Sequence, residues 1–188
     1  MNLRRSLARH AVPGVVMSAY YYLRDRARVH PKAMVQLSRD IRFGEKTVIH
    51  PYSRVITRAG GRLDMGENCS LQTFARIGVG GGHVRIGDDV RIAANTSLLG
   101  GDHRYDDPET PIRRQARTTP GLEIGDDVWI GTNSVVLPGV TIGRGAVIGA
   151  ATVVTEDVPE FAVVVGNPGR VVKYRGEQRR RRPAAGMS

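Results

Sequence analysis

Residues 122–157 read LEIGDD VWIGTN SVVLPG VTIGRG AVIGAA TVVTED when broken into sixes. The third position of every block is aliphatic, namely Ile124, Ile130, Val136, Ile142, Ile148 and Val154, and Gly follows it in four of the six blocks. A fixed period of this kind marks a repeat architecture, and a period of six belongs to the β-helix class of solenoids. Each six supplies a short extended segment and a tight corner, with one aliphatic side chain per face pointing inward. Equivalent faces of successive turns then stack and bury a continuous column. Gly beside the inward residue suits either an unusual φ/ψ or a close backbone approach at the corner. The Val, Ile and Thr between corners suit extended backbone. A meander of amphipathic strands does not hold one spacing over six blocks.

Upstream, the register recurs as Ile86, Ile92 and Leu98, then as Met65, Leu71 and Ile77, and faintly as Leu37, Phe43, Ile49 and Val55. Extra residues at AGG and GVGGG fall between blocks, where a solenoid tolerates them. The widest break is residues 100–121, GGDHRYDDPETPIRRQARTTPG. A polar loop of that length inside a regular array is usually functional or disordered, and this one carries His103.

Residues 1–34 do not follow the period. Basic MNLRRSLARH followed by AVPGVVMSAYYY has the look of a signal peptide, but Pro13 and Gly14 interrupt the apolar stretch and no small-residue cleavage site follows. The stretch is also too short to span a bilayer. It reads as an amphipathic helix over 15–29, with Val16, Ala19, Tyr20, Leu23 and Ala27 on one face, ended by Pro31. Such a helix serves either as a cap on the first coil or as a peripheral contact to an anionic membrane surface. The chain therefore divides into this segment, a solenoid domain over 35–173 with its extended loop at 100–121, and a basic tail over 174–188. The tail has the composition of a disordered end.

The formal net charge of +10 is concentrated at the two ends and asks for an anionic partner: phosphorylated cofactor, acidic membrane or nucleic acid. Aromatic residues interleaved for base stacking are absent from the basic runs, so no specific nucleic-acid partner is expected. Cys69 stands alone, which excludes an intrachain disulfide and points to a reducing, cytoplasmic compartment.

The segments GGDHRYDD, IGDDVWIGTNSVVLPGVTIG, IGAATVVTEDVP and VGNPGRVVK resemble the hexapeptide-repeat acyltransferases, in the branch of maltose, galactoside and xenobiotic acetyltransferases and colanic-acid-type O-acetyltransferases. The likeness is strong over 100–173 and looser over 47–99. It implies an all-β fold, a left-handed parallel β-helix with a short N-terminal helix, assembled as a homotrimer. The hand comes from the resemblance alone, because parallel crossovers are otherwise right-handed. It implies transfer of an acyl group, acetyl in the first instance, from acetyl-CoA as cosubstrate to a sugar hydroxyl acceptor, with no metal.

His103 matches the family's general base. An imidazole with an ordinary pKa of about 6.5 accepts a hydroxyl proton at neutral pH. The oxygen then attacks the thioester directly, without a Ser or Cys nucleophile. Asp102, Asp106 and Asp107 are near enough in sequence to orient His103, and the sequence does not choose among them. For coenzyme A the matched positions are Trp129 beside the thioester, Thr132, Ala150 and Thr155 along the pantetheine arm, and Arg170 and Lys173 at the phosphates. Glu156 departs from the pattern, which commonly has Lys there.

Thr73, Asn95 and Asp102 are the candidate acceptor contacts. Thr73 and Ala75 stand where a galactoside site has Asn, so the expected acceptor is a nucleotide-, lipid- or oligosaccharide-linked sugar of surface polysaccharide or glycoconjugate biosynthesis. The alternatives are acyl transfer to a small-molecule amine or antibiotic, and a non-catalytic β-helix scaffold. A zinc carbonic anhydrase on the same solenoid needs three His ligands, which His103 with His83 does not supply. GVGGGHVR lacks the Lys-Ser/Thr pair of a phosphate loop.

Overall fold

A computed structural model describes residues 12–58 and 60–177. The basic front (Arg4, Arg5, Arg9) and the Arg run of the tail (Arg179, Arg180, Arg181, Arg182) lie outside the described residues. Short strands separated by tight corners wind through six coils and build three parallel sheets, here faces A, B and C. In every complete coil the chain visits A, then B, then C. The result is a three-sided parallel β-helix, consistent with the left-handed class implied by the resemblance.

The inward columns run in strict register. On face A the column is Ile49, Leu71, Ile92, Ile130 and Ile148. On face B it is Val35, Val55, Ile77, Leu98, Val136 and Val154. On face C it is Phe43, Met65, Ile86, Ile124 and Ile142. All belong to one buried core. Leu37, placed in the inward register by its spacing, is 41% exposed. The first coil carries extra residues between Val35 and Ile41, so Val35 takes the inward place and Leu37 falls on the enlarged corner.

The corners separate the two roles that Gly and its neighbours can play. At Gly131 a Cβ would lie 2.6 Å from the Ala150 backbone nitrogen of the next coil, so the glycine is required by close approach. The positive φ falls two residues later, on Asn133 (61°). The same A/B corner position is held by Tyr52, Phe74, Asn95 and Ala151, all with positive φ.

The helix α1 (Gly14–Asp25) packs across the open end of the first coil. Tyr21 is fully buried, donates its hydroxyl to the Gln36 carbonyl (2.7 Å) and meets Phe43 edge-on at 5.0 Å. Met17, one turn earlier, is buried beside it. Arg24 pairs with Asp25 and donates to the carbonyls of Ser38 and Ile41, while the Asp25 carboxylate accepts the Phe43 N–H. The helix ends at Arg26, which adopts φ 56° and donates its N–H to the Tyr22 carbonyl, five residues before Pro31. The packed face is therefore Met17 and Tyr21. Of the apolar face read from the periodicity, Val16, Ala19 and Leu23 point to solvent, Tyr20 is half-buried and Ala27 is buried beyond the helix. At the other end, Ala162–Val165 and Arg170–Tyr174 form an antiparallel pair that closes face A.

Ile130 is fully buried between Ile92 and Ile148 in its column, so Ile130→Ala should lower the unfolding free energy by about 2–5 kcal/mol. Leu37→Ala, at the corner, should cost less than about 1 kcal/mol in the same urea titration. Equal costs at the two positions would contradict the register.

Candidate functional site

Residues 100–121 leave face B after Ser97–Leu99 and return as Leu122–Ile124 on face C. They form a built arm. Asp102–His103 pairs antiparallel with Arg117–Thr118, Arg104 donates its N–H to the Ala116 carbonyl, and Gly121 N–H closes the base on the Gly100 carbonyl (3.1 Å). Gly121 has φ 85°, and a Cβ there would lie 1.9 Å from the His83 carbonyl oxygen. The tip is a 3₁₀ turn, Ile112–Arg114, fastened by the Gln115 amide to the carbonyls of Asp107 and Thr110.

His103 is half-buried at the root of this arm. Its ring Nδ1 is buried and has no hydrogen-bond partner among the described residues. A buried polar atom left unpaired is costly enough to need an explanation. None of the three neighbouring aspartates supplies one. Asp102 accepts the His103 backbone N–H (2.7 Å), Asp106 pairs with Arg104 (2.9 Å), and Asp107 accepts the Glu109 N–H. Hydrogen bonds from the Thr110 side chain and the Glu109 backbone hold the Asp107 carboxyl below the usual range.

The positions matched to cofactor and acceptor form two groups. Thr73, Ala94, Thr132 and Ala150 occupy equivalent places at the A/B corner, tied from coil to coil: Asn95 N–H donates to Thr73 O, Asn133 N–H to Ala94 O, and Ala151 N–H to Thr132 O. Thr132, Ala150 and Asn95 are exposed there. Trp129, 57% exposed, stands on the outward row of face A in line with Val147, Val163 and Lys173. His103, Asp102 and Thr155 belong to the other side, at the B/C corner. In a three-sided prism that corner is opposite face A. A single chain therefore does not bring His103 to Trp129, Thr132 and Ala150. Arg170 lies 3.8 Å from Glu156, so the departing acid meets the cation matched to phosphate.

Three features were not read from the sequence. Tyr52 and Phe74 stack at 5.5 Å with ring planes 13° apart, and the Lys32 ammonium lies 5.8 Å from the Tyr52 centroid. Aligning HPYS, QTFA, AANT, GTNS and GAAT as one corner would have placed both rings. His83 Nε2 and Arg62 both meet Asp64 at 2.6 Å. Burial alone would raise the Asp64 carboxyl, but hydrogen bonds from Arg62 and His83 outweigh it and hold it below the usual range. A groove of about 470 Å³ lies between α1 and the first strands of face B. Among the described residues no group of three or more His, Cys, Asp or Glu is placed to hold a metal ion.

A family model described as bacterial transferase hexapeptide (six repeats) matches residues 121–156. A probable acetyltransferase of Mycobacterium tuberculosis is 32% identical over 168 residues, covering 88% of this chain and 53% of that protein. The galactoside O-acetyltransferase of Escherichia coli is 40% identical over 95 residues, covering 48% of this chain and 43% of that protein. An N-acyltransferase from Bacillus cereus, solved in complex with dTDP and coenzyme A, shares the fold with a TM-score of 0.72 at 20% identity, covering 80% of this chain and 81% of that one. The chain spans about half the length of the curated relatives it matches.

Cys69 is buried, its thiol donates to the carbonyls of Glu67 (3.3 Å) and Gly87 (3.1 Å), and burial pushes it up to about 11. The nucleophilic form is the thiolate, so iodoacetamide at pH 8 should leave the folded protein unmodified and label it rapidly once unfolded. Fast labelling of the native protein would show that the thiol is not sealed in the coil.

Proposed function

We propose, from the match of residues 121–156 to the bacterial transferase hexapeptide model and the likeness to named acetyltransferases, that the chain is an acyl-CoA-dependent O-acyltransferase, using acetyl-CoA to acylate a sugar hydroxyl in surface polysaccharide or glycoconjugate synthesis. The observation that carries this reading is His103: an imidazole whose buried Nδ1 has no hydrogen-bond partner among the described residues, on the long arm that interrupts an otherwise regular array. With Nδ1 holding a proton, Nε2 is the base. It takes the proton of the acceptor hydroxyl, and the oxygen attacks the thioester carbonyl in one ternary complex. The thiolate of coenzyme A leaves and recovers the proton from the imidazolium. A backbone N–H beside the thioester would stabilise the oxyanion, an effect worth about 3–4 kcal/mol where it operates.

The two-sided distribution of residues supports an oligomeric site, with the arm of one copy facing the A/B corner and face A of its neighbour in a homotrimer. Thr132 and Ala150, small and exposed, leave room for the pantetheine arm, with Trp129 near its thioester end. Lys173 and Arg170 then meet the phosphates, as cations do. Glu156 beside Arg170 opposes that role, and a salt bridge between groups this exposed is weak enough to be displaced. The sugar acceptor is supported by the galactoside named for the Escherichia coli relative, and the donor by the coenzyme A named for the Bacillus cereus structure. No helix among the described residues is long and apolar enough to cross a membrane, and an acyl-CoA donor supports a cytoplasmic site for the proposed reaction.

His103→Ala should lose roughly 10²–10⁴ in kcat, measured as thiol release from acetyl-CoA across a panel of sugars. Coenzyme A binding and oligomer mass should stay at parent values. Turnover near the parent rate would remove the assignment, and loss of oligomer would assign the residue to assembly instead.

A further inference from the structure

The N-terminal end of the solenoid presents an apolar stripe that no other described residues cover. Val15, Val16, Ala19, Tyr22 and Leu23 lie at the spacing of one helical face, and all five are exposed, Leu23 at 74% and Val15 at 64%. The opposite face of α1, with Met17 and Tyr21, closes the first coil, so the stripe is surplus to the core. A contiguous apolar surface of this kind marks an interaction site.

The surrounding charge identifies the partner. Residues 12–62, which make α1 and the first coils, hold ten Lys and Arg against three Asp and Glu, whereas residues 63–177 hold eleven against fifteen. The described solenoid is thus polarised along its axis, with the cationic end at the stripe. Arg26 follows the helix with its guanidinium 5.9 Å from the Tyr22 ring, and the Lys46 N–H donates to the Arg26 carbonyl (3.3 Å). Next to the other end of α1 the groove is lined by Met17, Met34 and Ile56 together with Lys32, Arg54 and Arg58, and no acidic side chain among the described residues lines it. None of these five cations is in a salt bridge among the described residues.

We propose that this end of the protein docks on an anionic phospholipid surface, with α1 lying in the interface plane. Val16, Ala19, Tyr22 and Leu23 enter the acyl boundary, and Arg26, Lys46, Lys32, Arg54 and Arg58 meet the headgroup phosphates. A second copy is the poorer occupant. A two-fold contact through this face would press like-charged ends together.

The test uses the full-length protein and vesicle sedimentation. Vesicles of phosphatidylcholine with about one-third phosphatidylglycerol should bind at least tenfold more tightly than phosphatidylcholine alone, and added salt should weaken the binding. A Val16→Asp, Leu23→Asp double variant, altered only at solvent-facing positions, should lose about tenfold or more of that binding with unchanged circular dichroism. Arg26→Glu with Lys46→Glu should do the same. Parent-like binding by both variants overturns the proposal and assigns the attraction to charge elsewhere. A change in oligomer mass in the first variant also overturns it, making the stripe an interface between copies. Acyl transfer is not the readout, so failure here is separable from failure of the enzymatic assignment.

Discussion

On face A, Ile49, Leu71, Ile92, Ile130 and Ile148 stand in register, one per coil, and the columns on faces B and C repeat the arrangement. Each coil buries its inward side chains only because the coils above and below offer the same shape, so stability is shared between neighbours. A residue added within a strand would flip the side chains beyond it to the other side of the sheet. A residue added at a corner disturbs nothing. Insertions therefore gather there, and in the first four coils they gather at the B/C corner, culminating in residues 100–121. The packing constraint thus decides where chemistry can be placed: the columns admit no functional side chain, while the corners and outward rows admit many.

This constraint is written directly in the chain, which explains why the six inward positions from Ile124 to Val154 were readable without coordinates. Leu37 was misread because an enlarged corner in the first coil shifts the register, and the period alone cannot locate where extra residues enter. The helix posed a different problem. Its sequence supports two apolar faces, and periodicity does not say which one packs. Tyr21 decides it, since its ring fills the open end of the coil and its hydroxyl reaches the Gln36 carbonyl, a partner fifteen residues away that no helical pattern encodes.

The arm was legible as a break in the repeat and as the carrier of His103, but its antiparallel root and the engagement of Asp102, Asp106 and Asp107 with other groups were not. Sequence proximity suggested a partner for the imidazole, whereas strand geometry turned each carboxylate elsewhere. The pairing of Glu156 with Arg170 and the Tyr52–Phe74 stack depend on which coils adjoin. That information appears only once the corners are aligned.

The separation of His103 from Trp129, Thr132 and Ala150 across the width of the prism is what the proposed oligomeric site rests on, with the base taken from one copy and the groove from another. Mixed oligomers test this most directly. Chains with His103→Ala and chains with Thr132→Trp, which fills the groove, should each be inactive alone. Unfolded and reassembled together in equal amounts, they should regain activity at about a quarter of the sites, those in which an intact arm meets an intact groove of the next subunit. A mixed preparation no more active than either variant alone, with mixed oligomers demonstrated by mass, would contradict the claim and place base and groove within a single chain.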